Sequence, residues 1–378
     1  MPLEEAIAAC QSVCASPFLS LQHYKERGRK TIGIVPMYVP EEIIYALGAV
    51  PFGLWGADIS VALSKKYLPT YYCGILHSIL ELSLRGRLDA LDGIVLTQLC
   101  DSLKVFAQNM REANPQMTFV ELRQPLERSS LEALAYFVVE EGAFAEKISQ
   151  ITGTNLTEQK LAKAVRIYND NRSLLREFSA LAASHPLSIS PLIRSQVIKA
   201  GYFLDRVDHN ALLKEINSAL RSQPEEQVDQ LRLVSTGIIA DASALLKILG
   251  ESHLLLVGDD VAHESRQFRQ DVKGTGLEAL AERYLDLSGC SLLKDGLEKR
   301  IAYLLKLLKQ SQADGLLYLS TKFCDPEEYD YPSIKKAIEE AGYPVLNIEV
   351  DKTSQSYEQA RTILETFSES YSPKESRS

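Results

Sequence analysis

Twice in this chain an apolar run opened by Asp-Gly leads within a few residues to Cys-Asp. Asp92-Gly93-Ile94-Val95-Leu96 runs on to Cys100-Asp101, and Asp314-Gly315-Leu316-Leu317-Tyr318-Leu319 runs on to Cys324-Asp325. Each run reads as a buried strand followed by the head of a helix. Ligands in open α/β sheets gather beyond the carboxyl ends of the strands. Two halves of this kind facing each other would bring Cys100 and Cys324 into one cleft. The pair reads as a structural duplication, with chance similarity between two buried strands as the other reading.

The rest of the chain supports two such halves. Strands are predicted at Thr31–Met37, Val50–Trp55, Gly93–Thr97 and Met117–Leu122, then at Arg232–Ile238, Leu254–Val257, Gly315–Ser320 and Val345–Val350. Helical patterns separate them, which implies parallel βαβ units. The fold class is therefore α/β: two Rossmann- or flavodoxin-like domains, each with a four-stranded parallel sheet. Residues 1–30 read as N-terminal helices, 31–150 as the first α/β domain and 226–371 as the second. Residues 151–225 read as a helical connector, because 157–222 carry Leu, Ala, Lys, Arg and Glu at helical spacing and no strand pattern. The polar segment 372–378 reads as a disordered tail.

Composition excludes several classes. The 378 residues carry a net charge of -9 with both signs interspersed and no basic stripe, so nucleic acid is not an expected partner. No apolar run approaches a membrane span, and the acidic N-terminus does not read as a signal peptide, so a cytoplasmic protein is expected. The six cysteines, Cys10, Cys14, Cys73, Cys100, Cys290 and Cys324, are then buried thiols or ligands rather than disulfides. Cys73, Cys100 and Cys324 each stand at a predicted helix start, where backbone N–H groups favour a thiolate. A soft metal centre needs several thiolates from different segments. Their spacing follows no general metal rule, so unreactive buried thiols remain the competing reading. Cys10 and Cys14 read as packing, while Cys290 is a minor candidate for a fourth ligand.

Further stretches point to a family. Phe323-Cys324-Asp325-Pro326-Glu327-Glu328-Tyr329-Asp330-Tyr331-Pro332 resembles a signature of the 2-hydroxyacyl-CoA dehydratases, which also include ATP-dependent benzoyl-CoA reductase subunits. Pro40-Glu41-Glu42-Ile43-Ile44, Gly53-Leu54-Trp55-Gly56, Cys100-Asp101-Ser102-Leu103 and the acidic and Arg-containing segment Asp259–Phe268 agree with it. The resemblance runs from about Lys30 to Phe367 and is closest to the smaller, β subunit. It implies that Cys73, Cys100 and Cys324 hold a [4Fe-4S] cluster between the two α/β domains. It also implies a heterodimer with a larger α subunit, a transient iron–sulfur activator ATPase and an acyl-CoA substrate.

The implied reaction explains why such a cofactor is needed. In a 2-hydroxyacyl-CoA the β-hydrogen is not acidified by the thioester, and a general base alone contributes only about 10²–10⁴-fold. One electron added to the carbonyl gives a ketyl radical anion, which expels the hydroxyl and acidifies the β-hydrogen. The electron is returned as the enoyl-CoA forms. This chain has no GxxxxGK[ST] motif and fits a recipient of electrons, its cluster a relay. No acid–base residue is assigned. The alternatives are an aromatic acyl-CoA reductase subunit, a non-catalytic electron-transfer protein and a cluster-free α/β binding protein. Among nearby residues, Asp101 and Asp325 are expected to cap helices, and Glu327 and Glu328 to be ordinary first-turn acids. Asp259, Asp260, Glu264 and Arg266 are expected to form a buried ion network rather than to contact the partner subunit. Trp55 is expected in the core or the cleft wall, and His77 is expected to be a satisfied histidine rather than one that approaches the cluster.

Overall fold

The computed structural model describes residues 1–370 apart from Pro36, Asp295 and Gln355. The expected tail, 372–378, lies outside the described residues. Two four-stranded sheets, all parallel, carry the chain. In the first, β1 (Thr31–Val35), β2 (Val50–Gly53), β3 (Gly93–Thr97) and β4 (Phe119–Leu122) lie in the order β2-β1-β3-β4. In the second, β5 (Leu231–Gly237), β6 (Leu254–Val261), β7 (Gly315–Thr321) and β8 (Val345–Val350) lie in the order β6-β5-β7-β8. Both sheets have the flavodoxin-like reversal of direction, between β1 and β3 and between β5 and β7. The inner strands are buried on both faces because helices cover both sides, and this is why they read as unbroken apolar runs.

The Asp-Gly repeat has the same job in each half. Asp92 accepts a hydrogen bond from the backbone N–H of Thr31 at 2.8 Å, tying β3 to the start of β1. Asp314 accepts one from the N–H of Arg232 at 2.9 Å, tying β7 to the start of β5. The glycines that follow suit close packing. A Cβ at Gly315 would lie 2.9 Å from the carbonyl oxygen of Pro344, and one at Gly93 would lie 3.3 Å from that of Thr118. The duplication therefore reaches beyond the cysteines to the device that sets strand register.

Several expected strands end a residue or two from their predicted limits, and one differs by more. Strand β6 continues through Asp259 and Asp260 to Val261 rather than stopping at Val257. The two carboxylates are buried but paired, Asp259 with Arg194 and Asp260 with Arg266 and Arg269, so polarity does not end the strand. The expected ion network is thus present and internal.

Between the sheets run helices α7 (Glu158–Ser184), α8 (Pro191–Ala200) and α9 (Arg206–Arg221), with no strand, as predicted. The N-terminal helix α1 (Leu3–Ala15) packs on α8 and α9 and shares their core through Ala6, Ile7 and Cys10. Cys10 is buried there, and the Cys14 thiol donates to the carbonyl of Gln196 at 3.2 Å, in keeping with packing roles. Among the described residues no helix is long and apolar enough to cross a membrane.

Two buried histidines make this fold sensitive to acid. In His209, Nε2 donates to the Val197 carbonyl at 3.0 Å and Nδ1 accepts from the Asn171 amide at 3.0 Å, which fixes a neutral ring. Burial and the nearby Arg206 push its pKa down to about 3. Burial likewise pushes His263 down to about 3, against Asp241, with Lys199, Lys352 and Asp259 also facing it. Between these values and the ordinary value of about 6.5 the unfolded chain binds more protons than the folded one. Stability is therefore complete above about pH 6.5 and falls as pH drops toward 3, by up to about 1.4 kcal/mol per pH unit per histidine. Thermal melts from pH 7.5 to 5 should shift steadily downward, and H209N should flatten the slope.

Candidate metal centre

Cys73 immediately precedes α4 (Gly74–Leu84), Cys100 precedes α5 (Asp101–Ala113) and Cys324 precedes α14 (Asp325–Glu340). Each cysteine is the capping residue of its helix, and none makes a side-chain cap hydrogen bond. The expectation that Asp101 and Asp325 cap these helices is therefore corrected. They are the first helical residues, and the Asp101 carboxylate turns outward to Lys104 at 3.0 Å.

The three thiols line one cavity of about 380 Å³. Its position follows from the topology. Met37 follows β1, Leu99 and Cys100 follow β3, Ile238 follows β5, and Phe323 and Cys324 follow β7, whose last residue, Thr321, also lines the wall. The cavity thus lies where the two sheets' reversal points face each other. Cys73 enters from the connection between β2 and β3. Gly74 makes room for this: a Cβ there would meet the Asp351 carboxylate at 2.5 Å.

The walls are mostly apolar, with Leu76, Leu103 and Leu292 among them. Burial pushes the Cys73 thiol up to about 11, although the N–H groups of Ile75 and Leu76 draw it back. Burial also raises Cys100, against the N–H groups of Leu103 and Ser102, and it raises Cys324 strongly. A proton is held tightly at such a site, and a soft metal that replaces it gains thiolates already aimed at by helix N–H groups. Among the described residues no three His, Cys, Asp or Glu side chains converge closely enough to share one metal ion. Three thiols set apart in this way suit a body larger than a single ion. An iron–sulfur cluster held by thiolates meets that condition, and the soft donor set and the size of the cavity fit it.

Three cavity residues have left-handed backbones without being glycine: Met37 at φ 76°, Lys294 at φ 53° and Phe323 at φ 60°. Such conformations cost on the order of 1–3 kcal/mol each and concentrate at functional sites. Nothing in the sequence announces them. Phe323 in this state turns the chain between β7 and Cys324.

Other candidates lie elsewhere. His77 pairs with Ser64 at 3.0 Å and with the Pro69 carbonyl at 2.9 Å, as a core histidine does. Cys290 is buried outside the cavity lining, where Arg266 donates to its sulfur at 3.3 Å. Trp55 is buried, its ring edge-on to His263 at 4.9 Å. Glu327 corrects the reading of a simple first-turn acid. It is fully buried, accepting from Ser291 Oγ at 2.6 Å, Arg300 Nη2 at 3.0 Å and Tyr318 Oη at 2.8 Å.

Comparison with known proteins gives a consistent result. Residues 36–371 match the family model of the 2-hydroxyglutaryl-CoA dehydratase D-component. The chain is 38% identical over 351 residues to the (R)-phenyllactyl-CoA dehydratase beta subunit of Clostridium sporogenes, covering 92% of this chain and 94% of that protein. It is 35% identical to the (R)-2-hydroxyglutaryl-CoA dehydratase subunit beta of Acidaminococcus fermentans, covering 98% of this chain and all of that one. Similarity to a benzoyl-CoA reductase component of Thauera aromatica is lower, 25% identity over 98% of this chain and 99% of that protein.

Proposed function

Because the chain belongs to the 2-hydroxyglutaryl-CoA dehydratase D-component family, we propose that it is the smaller, β-type subunit of a 2-hydroxyacyl-CoA dehydratase and that Cys73, Cys100 and Cys324 hold a [4Fe-4S] cluster. It is an enzyme of the lyase class, as its dehydratase relatives are. The single observation that carries the cluster reading is three thiols, from three helix starts and both sheets, lining one apolar cavity.

When bound, such a cluster would supply single electrons at low potential, the chemistry needed to remove water from a 2-hydroxyacyl thioester through a ketyl radical. The residues of this chain do the rest. The helix-start N–H groups around Cys73 and Cys100 stabilise negative sulfur. Leu76, Leu103 and Leu292 keep water from the sulfurs. Lys104 and Lys294 line the cavity together with Asp101 and Asp325, so the charges around it balance. The partner is a larger α-type subunit, since the relatives at 34–38% identity are named as beta subunits. A separate ATP-driven activator would deliver the electron. Higher identity to dehydratases than to the benzoyl-CoA reductase component favours dehydration over ring reduction.

The test is strictly anaerobic co-expression with the larger subunit, followed by iron and sulfide analysis and assay with the activator, ATP and (R)-2-hydroxyacyl-CoA thioesters. A brown complex that yields enoyl-CoA without net electron uptake is expected. A colourless β-type subunit would defeat the cluster assignment. Stoichiometric consumption of reductant with an aromatic thioester would defeat the dehydratase assignment.

A further inference from the structure

Cys290 and Ser291 are consecutive residues held from opposite sides by one closed ring of buried polar groups. From the Cys290 side, Arg266 donates to the sulfur at 3.3 Å, and its Nε and Nη2 hold Asp260 at 3.0 and 2.8 Å. Thr236 Oγ1 donates to Asp260 at 3.0 Å and lies 3.4 Å from Arg300 Nη2. The same Arg300 nitrogen donates to Glu327 at 3.0 Å, and the second Glu327 oxygen accepts from Ser291 Oγ at 2.6 Å, which closes the ring.

Two members of the ring bear on the thiol-lined cavity. Ser291 and Leu292 form part of its wall. Glu327 is the third residue of α14, the helix that Cys324 opens, and its N–H donates to the Cys324 carbonyl at 3.0 Å. An acid at this helix position usually stays in water and reaches back toward the cap. Here it turns inward, where a charge is tolerated only with full pairing. The carboxylate therefore fastens the helix bearing one thiol to the stretch of cavity wall formed by Ser291 and Leu292.

We propose that Glu327 is a positioning residue: through Ser291 and Arg300 it sets where Cys324 stands relative to the cavity wall, and so governs how firmly the cluster is held and at what potential. This rests on the cluster reading above. Glu327 touches neither metal nor substrate. A merely stabilising ion pair would lower the melting temperature of the variants and leave the bound cluster's properties alone.

The experiment uses the anaerobically purified complex with the larger subunit, comparing wild type, S291A, E327Q and D330N. Asp330 pairs with Arg300 on its outer side at 2.8 Å, so D330N perturbs the network without touching the Glu327–Ser291 bond. Two quantities are read: the rate of iron release to a chelator and the midpoint potential in a spectroscopically monitored titration. S291A and E327Q should each release iron about tenfold faster, or more, with a displaced potential, the effect usual for groups that orient metal ligands. The double variant should be no faster than E327Q, and D330N should match wild type. S291A removes a single hydroxyl and decides the matter if E327Q does not fold. Release rates and potentials in S291A equal to wild type, or D330N as impaired as S291A, overturn the proposal. A wild-type chain without iron overturns the cluster reading itself, a distinct outcome.

Discussion

Replacing Cys100 with serine is expected to strip the subunit of its iron and to cut dehydration by well over about 100-fold, because changes to groups that merely orient metal ligands already cost about 10–100-fold. C73S and C324S should do the same, since all three thiols line the cavity. C10S and C290S should keep iron, the first because Cys10 packs among helices and the second because Cys290 lies outside the cavity lining. The measurement is iron and sulfide per heterodimer together with turnover. Retention of iron by any one of the three cavity variants would show that its thiol is not a ligand.

The second large effect concerns stability. Arg194 on α8 is buried between Asp259 of β6 and Glu264, pairing with both. It fastens the connector helices to the second sheet. R194M leaves two buried carboxylates facing each other with no cation, which should cost about 3–5 kcal/mol. The melting temperature should fall by about 5 °C. Adding E264Q to R194M should recover part of that loss, because one uncompensated charge is removed. A melting temperature within a degree or two of wild type would show that water or another cation reaches the pair.

How much of this was legible in the sequence depended on what each residue signals alone. The two sheets were, because strands buried on both faces leave unbroken apolar runs and Asp-Gly punctuates them. The junction position of Cys100 and Cys324 was legible for the same reason. Their convergence with Cys73 was not: cysteines that meet across two sheets obey no spacing, and only likeness to a family joined them. The extent of β6 was hidden because Asp259 and Asp260 look like a loop until their arginines are placed. Glu327 looked ordinary for a first-turn acid, and its inward turn depends on Arg300, Ser291 and Tyr318, which no local pattern connects to it. The left-handed Met37, Lys294 and Phe323 carry residue types that give no hint of that backbone state.

The thiol-lined chamber draws its walls from widely separated stretches of the polypeptide, with Cys73 in the first sheet's half and Cys324 in the second's. At roughly 5–20 residues per second of synthesis, about ten to fifty seconds pass between the emergence of the first and the last of these sulfurs. Until then the nascent chain offers only two of these three thiols and no chamber. Any metal held by all three would consequently have to wait for the second half to fold, and a product terminated ahead of β7 has no such chamber.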